Sequence, residues 1–160
     1  MKHSFLIGII GGAVVGFLQY FSFIHSMHAD MGNFLEQLFF FSPQIIFFMC
    51  IYMSIKIYVR NQPDPVPDYK RCLKAGGITM LIIVLFWWIA FFVSLTHTDV
   101  NALIKYTAQN DKEDIPVVLA NYTAQGIFDH SKFLILPQFL LGFVMTVLVT
   151  VITRLRKKPA

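Results

Sequence analysis

Histidine, methionine and aspartate residues cluster where the first long apolar stretch of the sequence ends. The segment reads "FIHSMHADMGNF" and contains His25, Met27, His28, Asp30 and Met31. If a helix continues through it, His25 and His28 share a face, because residues three positions apart are neighbours on a helix. Imidazole suits zinc or copper, and methionine sulfur suits Cu(I). Three interpretations follow: a metal site, a switch that responds to protonation near pH 6.5, or interface histidines without a special role.

The elements that carry these residues are expected to lie in a membrane. The chain has 160 residues, of which 56% are hydrophobic and 14% charged, and its mean hydropathy is +0.63. Ordinary soluble domains contain about one-quarter charged residues. Four stretches are long enough to cross a bilayer as helices, and they cover about residues 4–24, 35–58, 76–95 and 133–153. The predicted fold is an all-α integral membrane four-helix bundle, with residues 1–160 forming one transmembrane domain.

Basic residues predict the orientation of these spans. Ten of the thirteen Lys and Arg residues fall on the side that holds both termini, and only Lys105, Lys112 and Lys132 fall opposite. Seven acidic residues accompany these three lysines, so the opposite side carries a net charge of about −4. By the positive-inside rule, both termini are predicted to be cytoplasmic in a bacterial inner membrane. No nucleic-acid partner is expected, because basic residues are not interleaved with aromatics on a soluble face.

Four of the five histidines are predicted to share the outer side of the membrane. They are His25, His28, His97 and His130. Two histidines on one helix hold a metal only weakly, so a site would need a third ligand from another segment. No compact motif such as HExxH is present. We therefore favour the interface interpretation, expect no cofactor, assign no firm metal ligand, and keep these four histidines as candidates.

Small residues recur every four positions in the first span. Ser4, Gly8, Gly12 and Gly16 form two overlapping GxxxG units on one helix face. Such a face lets another helix approach closely. Packing within the chain is the favoured interpretation, and packing between two subunits is the alternative.

The two halves of the chain share a pattern that indicates tandem helical hairpins. Pro43-Gln44 precedes Arg60, and Pro137-Gln138 precedes Arg154, with sixteen residues from each glutamine to its arginine. Coincidence is the alternative to duplication. A proline inside a helix frees a backbone carbonyl, and an intramembrane glutamine needs a hydrogen-bonding partner. These positions are candidates for lining a wet vestibule or for linking helices, and ordinary helix packing is the favoured interpretation.

The long outer connection between the third and fourth spans is predicted to contain helix. Val100, Leu103, Ile104 and Ala108 keep a helical spacing, and a similar pattern follows after "NDKED". Residues 98–131 are therefore predicted to form a short external amphipathic helical segment that covers the outer mouth of the bundle or lies at the interface.

Several of these features together resemble a known family. They are the four spans, the basic entry "YKRCLKAGGITM", the external helical segment and the last span "FLLGFVMTVLVTVITRLRKK". Over most of its length the chain resembles the uncharacterised bacterial membrane family called domain of unknown function four-one-nine-nine, which is common in Bacteroidetes. The resemblance implies an inner-membrane location and supplies no catalytic residues.

The leading functional hypothesis is a non-enzymatic inner-membrane protein that oligomerises or serves as an accessory subunit of a membrane complex. Its expected partners are the lipid bilayer and a second copy or another membrane protein. The alternative is a small channel or metal-handling protein that uses the outer histidines and the intramembrane glutamines. An enzyme is disfavoured, because no nucleophile is paired with the outer His and Asp residues. Cys50 and Cys72 are not predicted to lie in an oxidising compartment, which argues against disulfide exchange.

Overall fold

Four long helices make up the part of the chain that the structure describes. The structure is a computed structural model, and it describes residues 1–26, 34–62, 68–97 and 124–157. The helices are α1 (Lys2–Ser26), α2 (Phe34–Arg60), α3 (Tyr69–His97) and α4 (Ala124–Lys157), and the described residues contain no strand. Each helix includes a window long and apolar enough to cross a membrane. The prediction of an all-α, multi-pass four-helix bundle is confirmed.

The helices are longer than the spans predicted from hydropathy. α3 begins at Tyr69 instead of residue 76, and α4 begins at Ala124, inside the segment predicted to be external. The apolar windows of these two helices include Tyr69–Ser94 and Ile135–Leu155. Residues 98–123, which hold most of the predicted external segment, lie outside the described residues.

Asp68 explains why α3 begins where it does. Its Oδ1 accepts a hydrogen bond of 3.0 Å from the backbone N–H of Lys70, and its backbone oxygen accepts one from Cys72. A side-chain oxygen that accepts from the first turn is the usual cap of a helix N-terminus. The basic residues of this turn are therefore already helical, and α3 enters the membrane as a continuous rod.

α2 and α3 form the centre of the bundle. Each of them contacts the other three helices, whereas α1 and α4 share no contact among the described residues and lie on opposite sides of the α2–α3 pair. The core contains the fully buried side chains of Val15, Phe47, Ile51, Ile55 and Ile83. An exact two-fold relation between hairpins would match the α2–α3 contact with an α1–α4 contact. The duplication of hairpins remains a hypothesis.

The glycine face of α1 packs against α3 of the same chain. A methyl group added at Gly12 would come within 2.8 Å of Phe86, and one at Gly8 within 2.9 Å of Ile82. At Gly16 the nearest atom is the backbone oxygen of Phe86, at 3.3 Å. The two helices approach so closely that side chains would not fit between them. This face is therefore filled within the chain.

Two buried hydroxyl groups link three helices in the half of the bundle nearer the two termini. The hydroxyl of Thr79 in α3 lies 2.9 Å from the backbone oxygen of Ser4 in α1 and 3.2 Å from that of Ala75. The hydroxyl of Ser54 in α2 donates to the same oxygen of Ala75, at 3.1 Å. Bonds of this kind add modestly to helix association in a membrane, about 0.6 kcal/mol on average.

Candidate functional site

A cavity of about 130 Å³ lies between the four helices, in the half of the bundle remote from the two termini. All four helices contribute to its lining, which consists of Gln19, Gln44, Val84, Trp87, Trp88, Phe91, Ile135 and Gln138. Three of these residues are glutamines, and they come from three different helices. The structure thus brings amide groups and aromatic rings together inside a predominantly apolar bundle.

The depth of this cavity follows from helix geometry. Sixteen residues separate Gln44 from Arg60 and Gln138 from Arg154, and seventeen separate Lys2 from Gln19. At a rise of about 1.5 Å per residue, each glutamine lies about 24–26 Å along its helix from a basic residue at the end nearer the two termini. The hydrocarbon core of a bilayer is about 30 Å thick. The cavity is therefore expected about one helical turn below the outer boundary of the hydrocarbon.

Gln44 and Gln138 were singled out from the sequence, and the structure places both on this one cavity. α2 and α4 continue through Pro43 and Pro137, and Pro43 is fully buried while Pro137 is exposed. Sequence reasoning missed Gln19. The available signal was that Gln19 is the one amide residue within the predicted first span.

The cavity lining has an unsatisfied hydrogen-bond acceptor. Oε1 of Gln138 is buried and has no hydrogen-bond donor among the described residues. A buried polar atom without a partner costs about 1–3 kcal/mol. No lining residue is charged, so the cavity offers neutral dipoles and aromatic rings. This oxygen has almost no accessible surface, so an occupant of the cavity can donate to it only after the side-chain amide of Gln138 rotates.

The aromatic part of the lining continues into the core. Trp87 is 8% exposed and meets the ring of Phe47 edge to face, with centroids 6.0 Å apart and an interplanar angle of 85°. This arrangement suits the quadrupoles of the two rings. The tip of the Phe47 ring in turn lies 2.5 Å from the place where a methyl group would stand on Gly142, one turn below Gln138. Close packing of α2, α3 and α4 therefore closes the cavity on the side that faces the two termini.

Three of the four candidate histidines belong to the ends of described helices. His25 and His97 belong to the last turns of α1 and α3, and His130 belongs to the second turn of α4. Their side chains, and the whole of His28, lie outside the described residues. Among the residues that are described, no three His, Cys, Asp or Glu residues form a group that could hold a metal. The histidine site stays a prediction.

A second cavity, of about 250 Å³, lies between the beginning of α1 and the end of α2. Its lining includes His3, Ser4, Tyr58, Asn61 and Gln62. The side-chain amide of Gln62 donates to the hydroxyl of Tyr58, at 2.5 Å. This glutamine has a partner, in contrast to Oε1 of Gln138, and lies at the opposite end of the bundle.

Comparison with known proteins finds no match to this chain. No family model matches the chain, and neither a curated protein nor a solved structure matches it. The functional argument therefore rests on the residues and on their arrangement.

Proposed function

We propose that this chain is a non-enzymatic integral protein of a bacterial inner membrane, with both termini in the cytoplasm, and that it works as an oligomerising or accessory subunit of a membrane complex. The observation that carries the proposal is that the helices pack tightly in the interior of the bundle but differ in how much of their surface is buried. Interior packing explains the stability of one chain, and the outer surface is the part available to a partner.

α4 is the helix best suited to meet that partner. Only 22% of its apolar window is buried, whereas the windows of the other three helices are 33–39% buried. Phe143 and Val144 are among its large outward-facing side chains, each more than half exposed. The glycine face of α1 supports no subunit contact, because α3 already fills it. A second subunit is therefore expected on α4.

The cavity lined by Gln19, Gln44 and Gln138, the glutamine cavity, supports one form of the alternative hypothesis, a small channel. Polar residues from several helices at one depth are what a vestibule requires. Below them, however, Phe47, Ile51 and Ile83 are fully buried. Conduction would require these side chains to move apart, so we place binding at the cavity ahead of transport.

Site-specific photocrosslinking tests the subunit proposal. A photoreactive residue at Phe143 on α4 is compared with one at Ile10 on α1, which is similarly exposed, at 57% against 54%. We expect crosslinks to a protein chain from position 143 and mainly lipid adducts from position 10. Native mass spectrometry in mild detergent should show the same oligomer or complex. A monomer in both detergent and membranes, with only lipid adducts at both positions, would refute the proposal.

A further inference from the structure

We propose that the glutamine cavity binds a small ammonium group, held by amide oxygens and by the indole rings of Trp87 and Trp88. The proposal does not depend on whether the chain is a subunit of a complex. It names a ligand chemistry, a protonated amine, that can come from a free amine or from the headgroup of an aminophospholipid.

The first argument is the need for a hydrogen-bond donor. Oε1 of Gln138 is a buried acceptor that has no donor within the described part of the chain, and rotation of the side-chain amide would turn it toward the cavity that the residue lines. Gln19 and Gln44 bring two further amides to the same cavity. An ammonium group has N–H donors and no acceptor, so it matches carbonyl oxygens better than a neutral group does. No Lys or Arg side chain occupies the lining and competes for these oxygens.

The second argument is the aromatic part of the lining. Trp87, Trp88 and Phe91 come from consecutive turns of α3 and reach the same cavity as the glutamines. Tryptophan is the side chain with the strongest attraction for a cation over its ring, and the attraction increases where water is excluded. Burial of a cation without compensation is unfavourable. Amide oxygens together with aromatic rings provide that compensation here.

The third argument is the charge of the side from which a ligand enters. The outer segments carry seven acidic residues against three lysines, a net charge of about −4. A negative field at the mouth of a cleft raises the local concentration of cations.

The size of the cavity sets the scale of the ligand: about 130 Å³ equals roughly four water molecules at about 30 Å³ each. Ethanolamine, with four non-hydrogen atoms, is of this size.

The chain contains its own reporter for this experiment. Its two tryptophans are Trp87 and Trp88, and both line the cavity, so tryptophan fluorescence reports on this site alone. The protein is placed in nanodiscs of phosphatidylglycerol, which has no amine, and titrated with ethanolamine at constant ionic strength. We expect a saturable change in emission. Ethylene glycol, which has the same size but no charge, should bind at least about tenfold more weakly.

Three variants assign the binding to the cavity. Gln138→Leu should weaken ethanolamine binding by about tenfold or more, and the matched variant Gln62→Leu at the cytoplasmic end should leave it unchanged. Gln138→Glu places a carboxylate at the same position and should strengthen binding. If Gln138→Leu does not fold, Gln138→Glu decides, because weaker binding in that variant would contradict the proposal.

A second set of nanodiscs distinguishes the two sources of the ammonium group. If the headgroup is the ligand, phosphatidylethanolamine should change the tryptophan emission, remove the response to free ethanolamine, and have no effect on Gln138→Leu. If a free amine is the ligand, the response to ethanolamine should persist in both lipids. Absence of a saturable response to either source, or equal binding of ethylene glycol, would overturn the proposal.

Discussion

Substitution of Gly12 by alanine tests the closest contact between α1 and α3. The added methyl carbon would lie 2.8, 2.9 and 3.1 Å from Cδ2, Cγ and Cβ of Phe86. Carbon atoms in favourable contact are about 3.5–4.0 Å apart, so the shortest of these distances is too short by about 0.7 Å. Rotation of the Phe86 ring cannot relieve the contact with its Cβ, which is fixed to the backbone of α3. The two helices must therefore move apart.

The expected cost comes from comparison with Gly77, the matched control. A methyl group at Gly77 would meet nothing within 4 Å. Alanine favours a helix over glycine by up to about 1 kcal/mol, and this gain applies to both positions. Overpacking of a buried contact costs about 1–3 kcal/mol. We therefore expect Gly12→Ala to be about 1–3 kcal/mol less stable than Gly77→Ala, since the helix-propensity gain cancels in the comparison.

Unfolding in mixed micelles with increasing sodium dodecyl sulfate measures this difference. The fluorescence of Trp87 and Trp88 follows the loss of packing around α3, and the oligomeric state of each variant is recorded in the same detergent before unfolding. Equal stability of the two variants would show that α1 is not held against α3 as described. A Gly12→Ala variant that keeps its stability but loses an oligomer would show that the glycine face joins two subunits instead.

Three further predictions use other positions of the bundle. Thr150 and Thr79 are both fully buried, but only the hydroxyl of Thr79 has a hydrogen-bond partner among the described residues. In the same unfolding assay, Thr150→Val should be neutral or stabilising by up to about 1 kcal/mol. Thr79→Val should destabilise the protein by about 1 kcal/mol, because it removes a hydrogen bond. The opposite order would contradict the hydrogen-bond assignment. Cys72 is fully buried and should react with a membrane-permeant maleimide only after unfolding, as mass spectrometry would show; rapid labelling of the folded protein would contradict its burial. A reporter fused after Ala160 should behave as cytoplasmic and one inserted near Asn110 as external, and the reverse pattern would refute the charge argument.

The sequence predicted the number and type of the helices because a membrane-spanning helix needs a minimum length of apolar sequence. About 20 apolar residues are needed to cross a bilayer, and four such stretches stand out clearly. It did not predict where the helices end, because the helices continue into polar sequence, where hydropathy no longer marks them. The start of α3 depends on the single side chain of Asp68, and the start of α4 at Ala124 lies in polar sequence.

The candidate site was predictable in part because distance along a helix indicates depth in the membrane. The matched spacing of Gln44 and Gln138 from their arginines pointed to one common depth, and both glutamines line one cavity. Gln19 has no proline before it and therefore fell outside the pattern. The role of Trp87 and Trp88 could not be predicted, because aromatic residues within a span face lipid, core or cavity with the same hydropathy.

The position of the cavity follows from the sizes of the residues along α3. In the half of the bundle nearer the two termini, glycines stand at the helix contacts: Gly8 faces Ile82, and Gly76 faces Ile55 and Thr146. Without side chains at these positions, the backbones approach closely. Further along α3, Trp87, Trp88 and Phe91 line the cavity, while Gly16 keeps α1 in contact with Ala90 at the same level. The space left between the outer halves is then a consequence of the helix contacts themselves. Amide side chains at the same depth make that space polar, so residues from all four helices supply its capacity to bind.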